Sequence, residues 1–225
     1  MNYIQRLKHA ENNLVDDIDD MAGVATSYFQ DILKAGTYTQ MEECLNVVPH
    51  KVTEEMHQIL TSDYNAEEVK AALFQMGPTK VPRPDGMNTL FYQKFWHIFG
   101  DNVVVAVLDF LNSGNMVPEI NCTHIILIPK VKYPEKMADF HPISLNNVIY
   151  KIISEVLANR LKQIMPQLIS PTQGAFVPGR LITDNVLLAY EALHTMHCKK
   201  KGKKGSLALK LDISKAYDQV EWAFL

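Results

Sequence analysis

The spacing of apolar residues predicts helices over most of the first 110 residues. The apolar residues at helical spacing near the N-terminus are Val24, Tyr28, Ile32 and Leu33, and Gly36 would end that helix. A second helix is predicted from Asn65, because Asn65 and Glu68 have the spacing of a capping box. Its apolar face would consist of Val69, Ala72, Leu73 and Met76. Prolines and Gly86 predict a rigid loop over residues 78–86, and helical patterns resume over residues 90–99 and 103–111.

The middle of the chain combines one strand signal with two helical ones. Residues 123–129 are short, β-branched and closed by a proline, which predicts a strand. A long helix is predicted over residues 147–165, and we expect Pro166 to end it. Another helix is expected to begin at Asp184 as its N-cap. The apolar face of the long helix is formed by Ile152, Ile153, Val156, Leu157, Leu161, Ile164 and Met165.

The last 20 residues change period. Leucines alternate with other residues over 207–212, which predicts a strand, and Ser214 is placed to cap a final helix. A few strands among many helices, without regular alternation, give an α+β fold class.

Composition excludes several classes of protein. With 225 residues, of which 47% are hydrophobic, the chain can build a core and is not dominated by disorder. The apolar runs are far shorter than the ~20 residues that a membrane span needs. The charged N-terminus does not resemble a secretory signal, and three widely spaced cysteines indicate a reducing compartment. We therefore expect an intracellular protein without a membrane anchor; a zinc site at His194, His197 and Cys198 is not expected.

Charge is distributed unevenly along the chain. Residues 1–75 carry a net charge of −8, whereas residues 124–204 carry +7. A basic middle segment is typical of a surface that faces phosphates. The alternative is ordinary variation in charge, since the lysines of residues 199–204 supply much of the excess.

Asp212 is the candidate centre of chemistry. It follows the last predicted strand, where a carboxylate is well placed to bind Mg²⁺, which prefers oxygen ligands. Asp218 and Glu221 lie further along the following helix. Spacing alone favours the alternative, in which Asp212 is a cap and Asp218 and Glu221 are solvated.

The motif around Asp212 strengthens the metal interpretation. Residues 211–218 (LDISKAYD) and 220–222 (VEW) closely resemble the first catalytic motif of reverse transcriptases of LINE-type, non-LTR retrotransposons, particularly those of plants. Four further blocks resemble this family in the same order: 84–86 (PDG), 128–130 (IPK), 140–145 (FHPISL) with 148–152 (VIYKI), and 170–180 (SPTQGAFVPGR) with 183–185 (TDN).

The resemblance implies a right-hand polymerase with fingers, palm and thumb. Such an enzyme copies an RNA template onto a DNA primer from deoxynucleotides, uses two Mg²⁺ ions and acts in the nucleus. We therefore expect a helical N-terminal connector over residues 1–60. The fingers would follow over residues 61–204, and the palm would begin at residues 205–225.

The resemblance also implies roles for residues at the nucleotide. Asp212 would be the catalytic, metal-binding carboxylate, with the Ile213 carbonyl as a second metal ligand. Tyr217 would pack under the incoming sugar and reject a 2′-OH. Lys130 would neutralise the triphosphate, and His141 occupies the position of a triphosphate-binding arginine. Without the resemblance, Tyr217 is equally a core aromatic and Lys130 a solvated strand end.

A third set of residues is implied to lie along the nucleic acid. Gln173, Gly174 and Arg180 match a segment that abuts the template and the nascent base pair. A glycine allows close approach of the backbone, and an arginine can hold phosphate. The alternative is a tight turn with a surface arginine.

The sequence departs from the family pattern in ways that bear on activity. The sequence ends at Leu225, directly after the first catalytic motif, and contains no aromatic-Ala-Asp-Asp segment for the second metal site. Arg83 replaces a glycine, Gln219 replaces a common arginine, and His141 offers one donor where arginine has five.

We therefore expect a reverse transcriptase fragment that is truncated before the second catalytic motif and inactive alone. The alternatives are a non-catalytic nucleic-acid-binding module, a non-functional transposon relic, or an unrelated Mg²⁺ enzyme that uses Asp212 and Asp218.

Overall fold

The part of the chain that the structure describes is mixed, with many helices and two small antiparallel sheets. The computed structural model describes residues 4–9, 13–36, 41–47, 49–78, 86–174, 177, 179–199 and 207–209. Within these residues the strands are β1 (Leu7–Lys8), β2 (Leu14–Val15), β3 (His124–Pro129) and β4 (Phe140–Leu145). The helices are α1 (Ile18–Leu33), α2 (Met41–Val47), α3 (Glu54–Thr61), α4 (Ala66–Gln75), α5 (Thr89–Lys94), α6 (Trp96–Ser113), α7 (Pro118–Asn121), α8 (Val148–Leu168) and α9 (Ile182–Cys198). None of the helices in the described part is long and apolar enough to cross a membrane.

The larger core lies where helices α4, α6 and α8 pack together. The apolar stripe predicted from the sequence of α4 is buried there, and Val69, Ala72 and Leu73 are completely inaccessible to water. Opposite them lie Val103, Val107, Val148, Ile152, Ile153 and Val156. Burial of these aliphatic side chains is the main force that holds the helices together.

Local hydrogen bonds fix both ends of α4. The Asn65 side chain accepts from the backbone N–H groups of Glu67 and Glu68 at 3.0 Å, and the Glu68 carboxylate accepts from Asn65 N at 3.0 Å. This confirms the predicted capping box. At the other end, the Gln93 amide donates to the carbonyls of Leu73 and Met76. Carbonyls that a helix end leaves without intrahelical partners are thereby satisfied.

A buried arginine joins α8 to the chain between α3 and α4. Arg160 is only 4% exposed, and its guanidinium donates to both carboxylate oxygens of Glu68, at 2.8 and 3.0 Å. It also donates to the carbonyls of Leu60, Ser62 and Asp63. All five of its N–H donors therefore have acceptors, as a buried charge requires.

The second, smaller core anchors one face of the β3–β4 hairpin. Leu7, Met21, Met137 and Phe140 form it, with Leu127 packed against them. The backbone N–H of Lys8 donates to the Glu135 carbonyl at 2.6 Å. Contacts therefore cross the predicted boundary at residue 60, and the division of the chain into three domains stays a prediction.

The structure corrects two expected helix bounds and adds a hairpin that was not predicted. Helix α8 continues past Pro166 to Leu168, because a proline near the end removes one hydrogen bond and only a short stretch of helix follows it. Helix α9 begins at Ile182, and Asp184 lies within its first turn, where its carboxylate accepts from Leu181 N at 3.2 Å. The β1–β2 hairpin was not predicted, since strands of two residues show no period.

The end of the predicted final strand lies largely outside the described residues. Residues 207–209 belong to no strand, whereas residues 210–225, with the predicted final helix, are outside the described part of the chain. Most of the predicted loop at residues 78–86 is also outside it, although Gly86 is described and has φ +73°.

Candidate nucleotide and nucleic-acid interface

The β3–β4 hairpin brings two of the predicted nucleotide-binding residues to one face. In the antiparallel register His141 lies opposite Ile128, and Phe140 lies opposite Pro129. Side chains directly opposite each other share a face, as do residues two apart on a strand. Lys130, which follows β3, therefore projects on the same face as His141, one step along the hairpin. Both residues are exposed.

The same face carries an apolar strip that the sequence alone did not identify as functional. Ile128 lies directly opposite His141, and Ile126 lies opposite Ile143 further along the hairpin. Each of these isoleucines is 40–45% exposed. We call Ile126, Ile128, Lys130, His141 and Ile143 the front face. The opposite face contributes Leu127 and Phe140 to the smaller core. The signal in the sequence was the run of consecutive apolar residues in β3, more than one buried face requires.

The loop at the end of the hairpin is held by Asp139. Its carboxylate accepts from the backbone N–H groups of Lys136, at 2.9 Å, and Glu135, at 3.1 Å. These two hydrogen bonds lower the pKa of Asp139. Lys130 N donates to the Asp139 carbonyl at 2.8 Å, and the Lys130 ammonium donates to the Ala138 carbonyl at 3.1 Å. The loop therefore fixes the backbone position of Lys130 and provides a hydrogen-bond acceptor for its ammonium group.

The second group of predicted residues meets at the C-terminal end of α8. The Arg180 guanidinium donates to the carbonyls of Ser170 and Gln173, at 2.5 and 2.7 Å, and to those of Ile169 and Pro166, at 3.2 and 3.4 Å. Arginine thus stabilises the last carbonyls of the helix and the turn beyond it. Its predicted contact with phosphate stays a prediction, and the structure adds a structural role at the same residue.

Gly174 is buried in the turn that Arg180 holds. A Cβ atom at this position would lie 2.9 Å from the Asn185 amide and 3.1 Å from the Leu181 carbonyl. With its amide nitrogen oriented toward the Thr172 carbonyl (3.0 Å), Asn185 accepts from Gly174 N (3.2 Å). The Gly174 backbone therefore approaches α9 closely, and a glycine is required at this position by packing against that helix. Gln173 is exposed next to it.

The remaining predicted site residues lie outside the described part of the chain. These are Asp212, Ile213 and Tyr217. Among the residues that the structure describes, no group of three or more His, Cys, Asp or Glu side chains is arranged to hold a metal ion.

The chain matches a known family over its second half. Residues 128–225 match the family model described as reverse transcriptase (RNA-dependent DNA polymerase). This match includes the front-face residues Lys130 and His141, the turn at Gly174 and the motif around Asp212. It indicates a reverse transcriptase-like polymerase fold, with which the mixed helical structure is compatible.

Two curated relatives extend the similarity toward the N-terminus. The chain is 29% identical, over 94% of its length, to the transposon TX1 uncharacterized 149 kDa protein of Xenopus laevis. It is 24% identical, over 74% of its length, to the retrovirus-related Pol polyprotein from type-2 retrotransposable element R2DM of Drosophila melanogaster. The chain spans 16% of the length of each relative. Both relatives come from animals, so the likeness to plant elements stays a prediction. Residues 128–225 therefore match the reverse transcriptase family, and the chain is a fragment homologous to non-LTR retrotransposon polyproteins.

Proposed function

We propose that the 225 residues supply the fingers and the beginning of the palm of an RNA-directed DNA polymerase. The observation that supports this most directly is the front face of the β3–β4 hairpin. Its two cationic or titratable side chains, Lys130 and His141, lie beside an exposed apolar strip. Such a surface suits a nucleotide, whose triphosphate needs positive charge and whose base offers a flat apolar face.

In this proposal each predicted residue takes a defined part. Lys130 and His141 contact the triphosphate of the incoming deoxynucleotide, and Tyr217 packs under its sugar. Gln173 lies along the RNA template and primer, which the family binds, whereas Gly174 is buried against α9 and shapes the turn that carries Gln173. Arg180 adds positive charge there while it holds the turn.

Reverse transcriptases generally use Mg²⁺, and the donors at the start of the palm have suitable chemistry. Asp212 provides a carboxylate and Ile213 a backbone carbonyl, both of them hard oxygen ligands. When bound, a pair of Mg²⁺ ions would activate the primer 3′-OH and stabilise the charge on the departing pyrophosphate. We propose that the 225 residues alone do not polymerise, because one carboxylate does not organise two ions.

Primer extension on an RNA template with Mg²⁺ tests the proposal. The chain of 225 residues is compared with a version continued through the palm and thumb of a relative. We expect incorporation of deoxynucleotides only by the continued version, and its loss in Asp212→Asn. Asp218→Asn is the matched control from the same motif, and it should retain activity. Loss of activity in both variants would instead support a metal site built from Asp212 and Asp218. Incorporation by the 225 residues that Asp212→Asn abolishes would refute the proposed inactivity.

The position of His141 allows a sharper test in the continued version. Arginine has five donors and a permanent charge, whereas neutral imidazole has one donor. His141→Arg should therefore lower KM for deoxynucleotides about tenfold, with little change in kcat, whereas His97→Arg, a change in α6, should leave KM unaltered. An unchanged KM in His141→Arg would remove His141 from the nucleotide site.

A non-catalytic nucleic-acid-binding module is the second candidate, favoured by the net charge of +7 over residues 124–204. It predicts salt-sensitive binding that does not depend on sequence, and no incorporation even in the continued version.

A further inference from the structure

A hollow of about 330 Å³ lies on the side of the β3–β4 hairpin away from the front face. Leu127, Pro129 and Phe140 form its apolar floor. The N-terminal residues 4–6 form one wall, and residues 132–135 form the other. Its volume lies at the lower end of the range for small-ligand sites.

The rim of the hollow is basic. Arg6 and Lys8 share one partner, since Arg6 contacts one Glu135 carboxylate oxygen at 2.8 Å and Lys8 the other at 2.9 Å. Lys132 also lines the hollow. The charged residues that line the hollow are Arg6, Lys132 and Glu135, so its lining carries one net positive charge. Phosphate groups are the biological partners that such a rim favours.

The rim also presents an aromatic ring to water. Tyr133 is 76% exposed, and the Lys132 ammonium lies 5.5 Å from the centre of its ring. A tyrosine left in water beside cations is typical of proteins that bind single strands, where bases stack on the ring and phosphates contact the cations. A base in a duplex cannot leave its pair without cost, so an unpaired base is the form that is free to enter the hollow.

We propose that this hollow binds an unpaired base of single-stranded nucleic acid, stacked on Tyr133, with the flanking phosphates on Arg6 and Lys132. The proposal rests on the proposed function, because it assigns to the chain a second contact with nucleic acid. It places that contact partly on the N-terminal segment, outside the matched residues 128–225.

Binding of the full 225-residue chain to labelled oligonucleotides of about 12 nucleotides tests the proposal by fluorescence anisotropy. Single-stranded RNA, single-stranded DNA and the corresponding duplex are compared, so that the two sources of an unpaired base are distinguished. Tyr133→Ala is paired with Tyr190→Ala, which removes a 65% exposed tyrosine from α9. Arg6→Gln is paired with Lys162→Gln, since each removes one partner of an exposed ion pair. Thermal unfolding checks that all four variants fold.

We expect Tyr133→Ala to weaken binding to single strands about tenfold. Arg6→Gln should reduce the slope of log K against log salt concentration by about 0.7, the value for one lost phosphate contact on a single strand. The two control variants should bind as the wild-type chain does. Equal affinities of Tyr133→Ala and wild type, preference for the duplex, or no binding to either single strand would overturn the proposal. None of these outcomes decides the proposed function, which depends on the response of the continued version to Asp212→Asn.

Discussion

Replacement of Arg160 by methionine is the most informative test of how the helices are held together. Methionine keeps the length and the apolar stem of the side chain and removes the guanidinium. The change eliminates the two bonds to Glu68 and the three bonds to backbone carbonyls. It also removes the stacking of the guanidinium on Tyr64, whose ring centre lies 3.6 Å away.

The expected cost follows from what the substitution leaves behind. Breaking a buried ion pair by removing one partner costs about 3–5 kcal/mol, mainly because the remaining charge is stranded. Here the Glu68 side chain is 28% exposed, so water reaches part of the abandoned carboxylate. We therefore expect the lower end, about 3 kcal/mol of the free energy of unfolding. For a chain of this size, that corresponds to a fall in Tm of about 6–12 °C.

Urea unfolding followed by circular dichroism measures the effect, with a fall in midpoint of about 1 M and an unchanged m-value. The matched control is Lys162→Met on the same helix. Lys162 contacts Glu155 at 3.0 Å, but its side chain is 50% exposed, and exposed pairs contribute less than about 1 kcal/mol. Arg160→Lys should recover less than half of the loss, since an ammonium cannot reach all five acceptors. If Arg160→Met cost no more than Lys162→Met, the argument that burial makes this pair essential would be refuted.

Three further predictions concern the same core and the turn after α8. The hydrogen bond from Arg160 lowers the pKa of Glu68 below its ordinary value, so the pair's contribution to stability is present above that ordinary value and is lost as pH falls through the folded pKa. The difference between the urea midpoints of wild type and Arg160→Met should therefore narrow as pH falls below the ordinary glutamate range, leaving the part that the three bonds to carbonyls contribute. A constant difference down to about pH 2 would contradict this. Gly174→Ala should destabilise the chain by about 1–3 kcal/mol through the clash with Asn185. The control is Gly23→Ala, where the added methyl meets nothing within 4 Å, and it should stabilise α1 slightly. Equal shifts in Tm for the two variants would show that the turn at Gly174 adjusts. Arg180→Gln should speed chymotrypsin cleavage after Leu168 and Phe176 several-fold, since four carbonyls lose their donor. Unchanged cleavage at these two sites would show that the turn holds without Arg180.

The parts of the fold that were predictable are those decided by neighbouring residues. The capping box at Asn65 and the apolar stripe of α4 involve residues within one or two turns of helix, and both predictions are confirmed. The strand β3 was predictable because its β-branched run is bounded by a proline. The β1–β2 hairpin was not, because Leu7 is buried against Met137 and Phe140, which are more than 120 residues away along the chain.

Arg160 shows how a long-range partner hides a core position. It lies four residues from both Val156 and Ile164, so it falls on the buried stripe of α8. An arginine in such a stripe is normally taken as an interruption of the apolar face. The charge of Arg160 can be buried because Glu68 and the three carbonyls accept hydrogen bonds from its guanidinium. The spacing was the available signal, but the acceptors were not visible in the sequence.

The candidate site was also predictable only in part. The residue types at Lys130, His141 and Arg180 were identified from motifs, whereas their geometry required pairing between distant segments. The register of β3 with β4 decides that Lys130 and His141 share a face. The contacts of Arg180 decide that it stabilises the end of α8, which a motif cannot show, because the same guanidinium chemistry suits a carbonyl and a phosphate.

The two faces of the β3–β4 hairpin link the N-terminal segment to the predicted nucleotide-binding residues Lys130 and His141. Isolated two-stranded hairpins are at best marginally stable in water, so this one requires packing on at least one face. The smaller core supplies it, because Leu7 and Met21 bury Phe140 on the side away from Lys130 and His141. The Lys8 backbone and side chain both bind Glu135 in the loop that follows Lys130. The position of the front face therefore depends on residues 4–36, although these lie outside the segment that matches the reverse transcriptase family. A segment that resembles a connector in its sequence thus acts in the structure as the support for the hairpin.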